Sequence, residues 1–512
     1  MEGHRFPKVI FRSMVLGVMM ICSLHIAPWG EATKALATPL PRTIVTTDGE
    51  IDDMDSFLRF LLYTDEMDVE GLIYSSSQWH YKGDGKGTKF ISAMPLTRKL
   101  YGERTELRWC GTEWMQKFIA KYREVYPNLL QHDGHYPSPD KLLSLVKIGN
   151  IDFEGEMSRD TDGSNRIKEV LLDNNDAPVY LQVWGGTNTI ARALKSIEDE
   201  YKNTDQWQAI YDKVSKKTVI YVILDQDATY RNYIAPNWPN IKVLYNSSQF
   251  WCLAYDWPKT VPEALKPYLE SKWMAANIKD HGPLLQEYMT WGDGHKIQAD
   301  PDDQYGDLSY MKEKGRGQYD FISEGDSPSY LYLVNVGLRS LENHANGGWS
   351  GRLVQSKTNP NRWEDGENVA DYNPYTQKLD KSYPQARWID AIQNDFAARV
   401  KWTQADYAHC NHAPVVAVDG SLDITAKAGE TVKLNGQASD PDGDKLQYKW
   451  WQYREAGSYA GEVQVGHANK KHAAVKIPQD AKKGDTIHMI LAVKDSGTPP
   501  LTRYAHVVIT VK

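Results

Sequence analysis

The stretch Arg42–Tyr63, RTIVTTDGEIDDMDSFLRFLLY, joins a predicted strand to a predicted helix through an acidic turn. Thr43–Thr47 is short, apolar and β-branched, as in a buried strand. Further along, apolar side chains recur at helical spacing, at Phe57, Leu58, Leu61 and Leu62. A strand that enters a helix in this way predicts an open α/β sheet, whose ligands bind at the carboxyl ends of the strands.

The turn itself holds a dense group of carboxylates, namely Asp48, Glu50, Asp52 and Asp53. Crowded carboxylates repel one another, which raises their pKa values unless a cation lies among them. Oxygen ligands suit a hard cation, so the turn predicts a Ca²⁺ site. Helix capping is the plainer alternative, and it accounts for one or two of the carboxylates. An EF-hand loop is excluded because its twelfth position, counted from Asp48, is Arg59 rather than Glu.

Two further polar segments follow predicted strands. The strand Val69–Tyr74 is followed by Gln78 and His80, and the strand Val179–Trp184 runs into Gly185-Gly186-Thr187-Asn188. Glycines let the backbone approach a ligand closely, and Thr and Asn offer oxygens and a helix cap. A simple turn and an ordinary helix cap are the alternatives. Because parallel strands end at one edge of a sheet, we expect both segments to lie near the acidic turn.

A late acidic residue completes the set of candidates. In FISEGDSPSYLYLVN, residues 321–335, Asp326 precedes a predicted helix that has Pro328 in its first turn, where proline is tolerated. Without the other motifs, a helix cap is the favoured explanation of Asp326.

The acidic turn resembles the N-terminal signature of nucleoside hydrolases, a strand followed by D-x-D-x-G-x-D-D. Aligned without gaps, the last three aspartates of that signature match Asp48, Asp52 and Asp53. Thr46 stands in place of the first aspartate, and the glycine is displaced to Gly49. The resemblance implies an α/β domain with a doubly wound, mostly parallel sheet over residues 40–405.

The later motifs extend the resemblance. Nucleoside hydrolases have a similar G-P-L-T-N-I-A segment, in which Asn188 here is the gapless partner of the calcium-ligating threonine. Asp326 matches their late metal aspartate. Many members place a histidine just before that aspartate, as an acid for the leaving base. This chain has Gly325 there, preceded by Glu324, so the general acid is unassigned.

Together the motifs are similar to a secreted branch of this superfamily, of unknown function and related to a cellulose-binding protein. The resemblance implies that Asp48 is the catalytic base and that Ca²⁺ is bound by Asp48, Asp53, Asn188 and Asp326. It implies substrate contacts from Asp52, Gln78, His80 and Glu324. The implied function is calcium-dependent hydrolysis of an N-glycosyl or furanose-like glycosidic bond by a metal-bound water. The alternative is a non-catalytic protein that binds a carbohydrate such as a cellulose-like polysaccharide.

Composition and charge limit the classes of molecule that the protein is expected to bind. The 512 residues suffice for two or three domains. A net charge of −8 without a long basic run argues against binding a nucleic-acid polymer or an anionic membrane. A small glycoside or a carbohydrate is therefore the expected partner. No segment after the N-terminus is apolar enough to span a bilayer, and a homo-oligomer is left open.

The two ends of the chain predict a leader and a second domain. Basic residues precede the apolar run Met14–Ile26, and Ala35-Leu36-Ala37 follows it, which predicts a cleaved signal peptide over 1–37 and a secreted or periplasmic protein. After a linker at 406–414, short alternating β patterns predict an immunoglobulin-like all-β sandwich over 415–512. Its acidic turn, Asp440–Asp444, is either a second Ca²⁺ site or a plain β-turn.

Overall fold

The computed structural model describes residues 39–512, so the expected signal peptide at 1–37 lies outside the described part of the chain. The strands of the first domain are β1 (Arg42–Thr47), β2 (Asp68–Tyr74), β3 (Phe90–Ile91), β4 (Glu103–Arg104), β5 (Val146–Ile148), β6 (Val179–Val183), β7 (Thr218–Ile223), β8 (Lys242–Asn246), β9 (Val354–Gln355), β10 (Arg362–Glu364), β11 (Asp371–Asn373) and β12 (Lys378–Asp380). The helices are α1 (Ile51–Leu61), α2 (Pro95–Tyr101), α3 (Trp114–His132), α4 (Pro139–Leu145), α5 (Asp162–Leu172), α6 (Asn188–Tyr201), α7 (Trp207–Lys217), α8 (Ala235–Asn237), α9 (Trp257–Thr260), α10 (Ser271–Asn277), α11 (Gly282–Leu285), α12 (Leu308–Glu313), α13 (Ser327–Leu331), α14 (Tyr383–Ala386) and α15 (Ile389–Trp402).

The main sheet confirms the predicted α/β class. Eight strands lie in the order β5-β2-β1-β6-β7-β8-β10-β9. All neighbours pair in parallel except β9 and β10. The chain moves outward in one direction from β1 to β2 and in the other direction from β6 to β7. The carboxyl ends of β1 and β6 therefore flank the topological switch point, where open α/β sheets bind ligands.

Helices cover both faces of this sheet, which explains why β1 is apolar or β-branched from Thr43 to Thr47. Its consecutive residues Ile44 and Val45 point to opposite faces of the sheet and belong to separate cores. The core on the Val45 side includes apolar residues of α1, α3 and α15, whereas the other includes those of α5, α6 and α7. Every residue of α1 is buried, so its acidic first turn is enclosed by the fold.

The C-terminal strands form the predicted all-β sandwich. They are β13 (Val415–Val418), β14 (Asp423–Ala426), β15 (Thr431–Ser439), β16 (Gln447–Gln452), β17 (Gln464–Gly466), β18 (His472–Lys476), β19 (Thr486–Lys494) and β20 (Thr502–Val511). Two sheets, ordered β13-β15-β18-β17 and β14-β20-β19-β16, enclose a third apolar core around Trp450. In residues 39–512, no helix is both long and apolar enough to cross a membrane.

The sandwich packs directly on the first domain. Arg503 Nη1 lies 2.8 Å from Asp395 Oδ2 on α15. The Tyr453 hydroxyl donates to Asp371 Oδ2 at 2.7 Å. In the segment expected to be a linker, Asn411 is buried, and its amide donates to the carbonyl of Pro499 at 2.7 Å. The domain boundary at 406–414 stays a prediction, but this junction is a packed interface.

Candidate functional site

Three carboxylates converge at the switch point of the sheet. Asp52 and Asp53 lie in the first turn of α1, and Asp326 immediately precedes α13. One oxygen from each lies within 4.8 Å of the others, and all three side chains are almost fully buried. Burial, and then the charges of neighbouring carboxylates, hold the pKa of each well above its usual value. A buried, oxygen-only cluster with mutual repulsion fits a hard divalent cation such as Ca²⁺.

Asp48 lies beside this cluster, at the end of β1. Neither of its carboxylate oxygens has a hydrogen-bond partner among the described residues, although the side chain is buried. The nearest cationic group is His80, whose Nδ1 lies 3.6 Å from Asp48 Oδ2. Burial raises the pKa of Asp48, but its interactions, chiefly with His80, lower that pKa by more than burial raises it. The pKa of Asp48 therefore lies below its usual value. Asp48 is therefore an ionised carboxylate with free lone pairs.

His80 is held from its other side by residues that the sequence did not indicate. Its Nε2 lies 3.8 Å from Asp300 Oδ2. Arg108 donates to Asp300 through Nε at 2.9 Å and through Nη2 at 2.8 Å. Burial lowers the pKa of His80, but Asp300 and Asp48 outweigh it and raise the pKa to about 9. Arg108 adopts φ +44°, a strained backbone for a residue with a long side chain.

Hydroxyl-binding groups border the carboxylates. The Tyr255 hydroxyl lies 2.9 Å from Glu50 Oε1 and 3.3 Å from Asp52 Oδ1. The ring of Tyr255 stacks on that of Tyr305, with centroids 5.7 Å apart. Glu50 and Tyr255 are only partly buried, so they are accessible where the more deeply placed aspartates are not. Neither Tyr255 nor Asp300 follows a strand of the sheet or belongs to a local motif, so sequence reasoning had no signal for them.

Two glycines allow the carboxylates to come this close. A Cβ at Gly185 would lie 2.8 Å from Cγ of Asp48, and one at Gly325 would lie 2.7 Å from Oδ2 of Asp52. The first contact brings the Gly-Gly turn after β6 to the acidic turn, as the sequence predicted. The second contact is with the end of the Asp52 side chain, so a residue larger than glycine at position 325 would shift that carboxylate.

Two of the expected site residues, Asn188 and Gln78, have side chains that are engaged in hydrogen bonds to neighbouring loops. The Asn188 amide donates to Ser76 Oγ at 2.9 Å, and its Oδ1 accepts from the backbone of Thr189. Gln78 Oε1 accepts from the Thr97 hydroxyl at 2.7 Å. These hydrogen bonds hold neighbouring loops together. For Asn188 they occupy both polar groups of the side chain, and its backbone carbonyl belongs to the first residue of α6, where it accepts within the helix. The role of Asn188 as a calcium ligand stays a prediction.

Glu324 lies beneath the pocket, contrary to the expectation that it contacts substrate. It has no exposed surface, and its Oε2 lies 2.7 Å from Nε of the equally buried Arg59. The Tyr288 hydroxyl donates to its other oxygen. A carboxylate without solvent contact cannot reach a substrate, so Glu324 serves as the counterion of Arg59.

An open, doubly wound sheet with an aspartate cluster at its switch point defines a nucleoside hydrolase-like domain. A family model described as "Cellulose-binding Sde182, nucleoside hydrolase-like domain" matches residues 42–353, which is more than half of the chain. The chain belongs to this family. A second model, "Cellulose-binding protein Sde0182, C-terminal domain", matches residues 431–511.

A solved structure of related sequence agrees with this assignment. A nucleoside hydrolase-related protein from Saccharophagus degradans, associated with carbohydrate metabolism, is 27% identical and superposes with a TM-score of 0.68. The match covers 92% of this chain and 100% of that one. A plant nucleoside hydrolase is 12% identical, with a TM-score of 0.31 over 71% of this chain and 99% of its own. Comparison with curated proteins finds no match.

Proposed function

We propose that this protein is a secreted, calcium-dependent glycosidic-bond hydrolase that acts on an N-glycosyl or furanose-like glycoside. The observation that carries the proposal is the cluster of Asp52, Asp53 and Asp326 beside an ionised Asp48 whose oxygens lack hydrogen-bond partners. Such an arrangement costs stability through repulsion and burial, so a purely structural role does not account for it. The expected signal peptide supports secretion.

The residues that would hold Ca²⁺ are Asp52, Asp53 and Asp326, with Asp48 as a further oxygen ligand. The expectation from sequence had Asp52 binding sugar hydroxyls, and its place in the cluster adds a role as ligand. When bound, Ca²⁺ supplies positive charge that lowers the pKa of a coordinated water and balances the carboxylates.

The other steps of the proposed hydrolysis are carried out by side chains of the protein. Asp48 takes a proton from the attacking water at a carboxylate oxygen, since it is ionised and has free lone pairs. Glu50 and Tyr255 border the same space and would hold sugar hydroxyls, which fixes the ring for a transition state of oxocarbenium character. His80, which the sequence predicted as a substrate contact, is fully buried. His80, with Asp300 behind it, also places a positive charge next to Asp48.

A second candidate function is carbohydrate binding without catalysis. The observation that favours it is that position 325 is glycine, so this chain lacks the histidine that serves many nucleoside hydrolases as an acid. The family and its C-terminal domain are both described as cellulose-binding.

Hydrolysis of a panel of nucleosides and aryl furanosides, with Ca²⁺ or with chelator, separates the two functions. We expect turnover of at least one substrate that chelator abolishes and that Asp326→Asn lowers about 10²-fold or more. Aryl furanosides with good leaving groups should be cleaved best, because they need no general acid. If no substrate turns over while cellulose retains the protein, the binding function is correct instead.

A further inference from the structure

A second polar cluster lies beside the carboxylate pocket, at the carboxyl end of β7. It consists of Asp225, Glu154 and Arg231, and it is called the Arg231 cluster below. Asp225 and Glu154 are only 8% and 6% exposed. The side chain of Arg231, by contrast, is 49% exposed, so a ligand can reach the cluster from its side. The proposed hydrolysis has so far assigned no role to these three residues.

The sheet places this cluster two strands away from Asp48. Thr46, Val183 and Val222 are level with one another in β1, β6 and β7. Asp48 lies two residues beyond this level, and Asp225 lies three residues beyond it. Because neighbouring strands are about 4.8 Å apart, the ends of β1 and β7 are separated by about 10 Å. A single sugar unit with its substituents spans such a distance.

Direct contacts also connect the cluster to the carboxylate pocket. The side chain of Ser77 forms a hydrogen bond that lowers the pKa of Asp48. The next residue, Gln78, donates its backbone N–H to the carbonyl of Gln226 at 2.8 Å. Gln226 in turn follows Asp225 in the chain. The two groups of carboxylates are therefore parts of one continuous polar surface at the edge of the sheet.

Each carboxylate of the cluster has one oxygen that is engaged and one that is not. Asp225 Oδ2 lies 3.0 Å from Nη1 of Arg231, and Glu154 Oε1 accepts from the backbone N–H of Ala93 at 3.2 Å. Asp225 Oδ1 and Glu154 Oε2 have no hydrogen-bond partner among the described residues. Buried acceptors without a donor cost stability. Two donors from a ligand would satisfy both oxygens.

The charges of the cluster indicate what kind of ligand fits. Burial raises the pKa of Asp225 to about 6 and also raises that of Glu154, while the nearby Arg231 lowers both. Nη2 of Arg231 donates only to a weak acceptor, the thioether of Met94, at 3.1 Å. The arginine repels an ammonium ligand, and the carboxylates repel an anion. A neutral ligand with hydroxyl groups, which both donate and accept, suits all three side chains.

We propose that the substrate is a hexofuranoside whose exocyclic diol binds the Arg231 cluster. This inference rests on the proposed function, because the furanose ring must lie in the carboxylate pocket. A hexofuranose has two hydroxyls on the carbons outside its ring, whereas a pentofuranose has one. Two hydroxyls match the two unpaired oxygens of Asp225 and Glu154, and Arg231 would donate to a hydroxyl oxygen.

The test compares pairs of para-nitrophenyl furanosides that share a ring configuration and a leaving group. One pair is the β-D-galactofuranoside and the α-L-arabinofuranoside. The other pair is the β-D-allofuranoside and the β-D-ribofuranoside. In each pair the pentofuranoside lacks only the terminal CH₂OH of the diol. With Ca²⁺ present, we expect kcat/KM to be about tenfold or more higher for the hexofuranoside in the pair whose ring is accepted.

Two variants test the residues of the cluster. Asp225→Asn and Glu154→Gln keep the shape of the side chain but remove the charge that strengthens a hydrogen bond from a hydroxyl. Each should lower the ratio of kcat/KM between hexofuranoside and pentofuranoside about threefold or more. The matched control is Asp160→Asn, which breaks an aspartate–arginine pair with Arg192 outside the cluster and should leave the ratio unchanged.

The outcomes separate this inference from the proposed function. Turnover of pentofuranosides or ribonucleosides that equals or exceeds that of the hexofuranosides would overturn the inference and leave hydrolysis standing. A ratio that neither variant changes would also overturn it. If wild type cleaves no furanoside and no nucleoside, the proposed function is wrong, and the inference is wrong with it.

Discussion

Arg59 Nε lies 2.7 Å from Glu324 Oε2, and neither side chain has any exposed surface. The pair joins the two elements that supply the carboxylate cluster. Arg59 lies in the last turn of α1, whose first turn holds Asp52 and Asp53. Glu324 precedes Asp326 by two residues. The Arg59 guanidinium also lies 4.0 Å from the ring centroid of Phe396 on α15. The buried ion pair thus holds the spacing of the candidate metal ligands.

Glu324→Gln tests this structural role. Removing one charge of a buried pair leaves the other uncompensated, and we expect a loss of about 3 to 5 kcal/mol in the free energy of unfolding. Thermal unfolding measures it. The matched control is Glu113→Gln, which breaks the exposed pair with Lys117 and should cost less than about 1 kcal/mol. Equal effects of the two substitutions would show that the buried pair contributes no more to the free energy of unfolding than the exposed pair does.

Asp48→Asn tests the proposed base. Asn keeps the shape of the side chain but cannot take a proton from water, so we expect the hydrolysis rate to fall about 10²- to 10⁴-fold. The melting temperature should change little, because relief of carboxylate repulsion is opposed by lost attraction to His80. The control is Asp205→Asn, on the exposed surface. Near-normal turnover by Asp48→Asn would remove Asp48 from the mechanism.

Calcium should stabilise the protein, and more so at neutral than at acid pH. The raised pKa values of Asp52, Asp53 and Asp326 mean that the metal-free fold loses stability as pH rises above the ordinary carboxyl range and these groups ionise. A cation offsets this loss and binds only the ionised form. Melting temperatures with Ca²⁺ and with chelator, at about pH 4.5 and about pH 7, measure the difference.

The double variant Asp53→Asn/Asp326→Asn should abolish the stabilisation by calcium. Asp440→Asn, in the acidic turn of the sandwich, is the control, because Asp440, Asp442 and Asp444 form the other acidic group among the described residues. If only Asp440→Asn removes the effect, then calcium binds the sandwich and not the carboxylate pocket.

Acid should destabilise the domain junction through two buried histidines. His488 Nδ1 lies 2.9 Å from His506 Nε2, and His506 Nδ1 lies 2.9 Å from the carbonyl of Leu338. Burial lowers the pKa of His488 to about 3 and that of His506 to about 4. Both pKa values are depressed relative to the unfolded chain, so stability is present above about pH 6.5 and is lost as pH falls toward 4.

His506→Gln should flatten that pH profile, because each depressed histidine contributes up to about 2 kcal/mol between pH 6.5 and 5. Thermal unfolding as a function of pH measures the slope. His409→Gln is the control, since His409 is exposed and pairs only with Asp406. A profile with the same slope in both variants would contradict the assignment.

Much of the fold follows from local sequence. The strand Arg42–Thr47, the acidic turn and the apolar face of α1 are formed by one continuous segment of about 20 residues, so periodicity and turn chemistry predict them. The same holds for β6 with its Gly-Gly turn, for Asp326 ahead of α13, and for the alternating strands of the sandwich. Because β1 and β6 end at the same edge of a parallel sheet, the meeting of the two turns that follow them was also predictable.

Tertiary structure alone decided which side chains meet in and below the carboxylate cluster. Arg108 and Asp300 stand 192 positions apart in sequence, and Arg59 and Glu324 are similarly remote, yet each pair meets at hydrogen-bond or ion-pair distance. No local pattern encodes such contacts, because they depend on how loops close and helices pack over the whole domain.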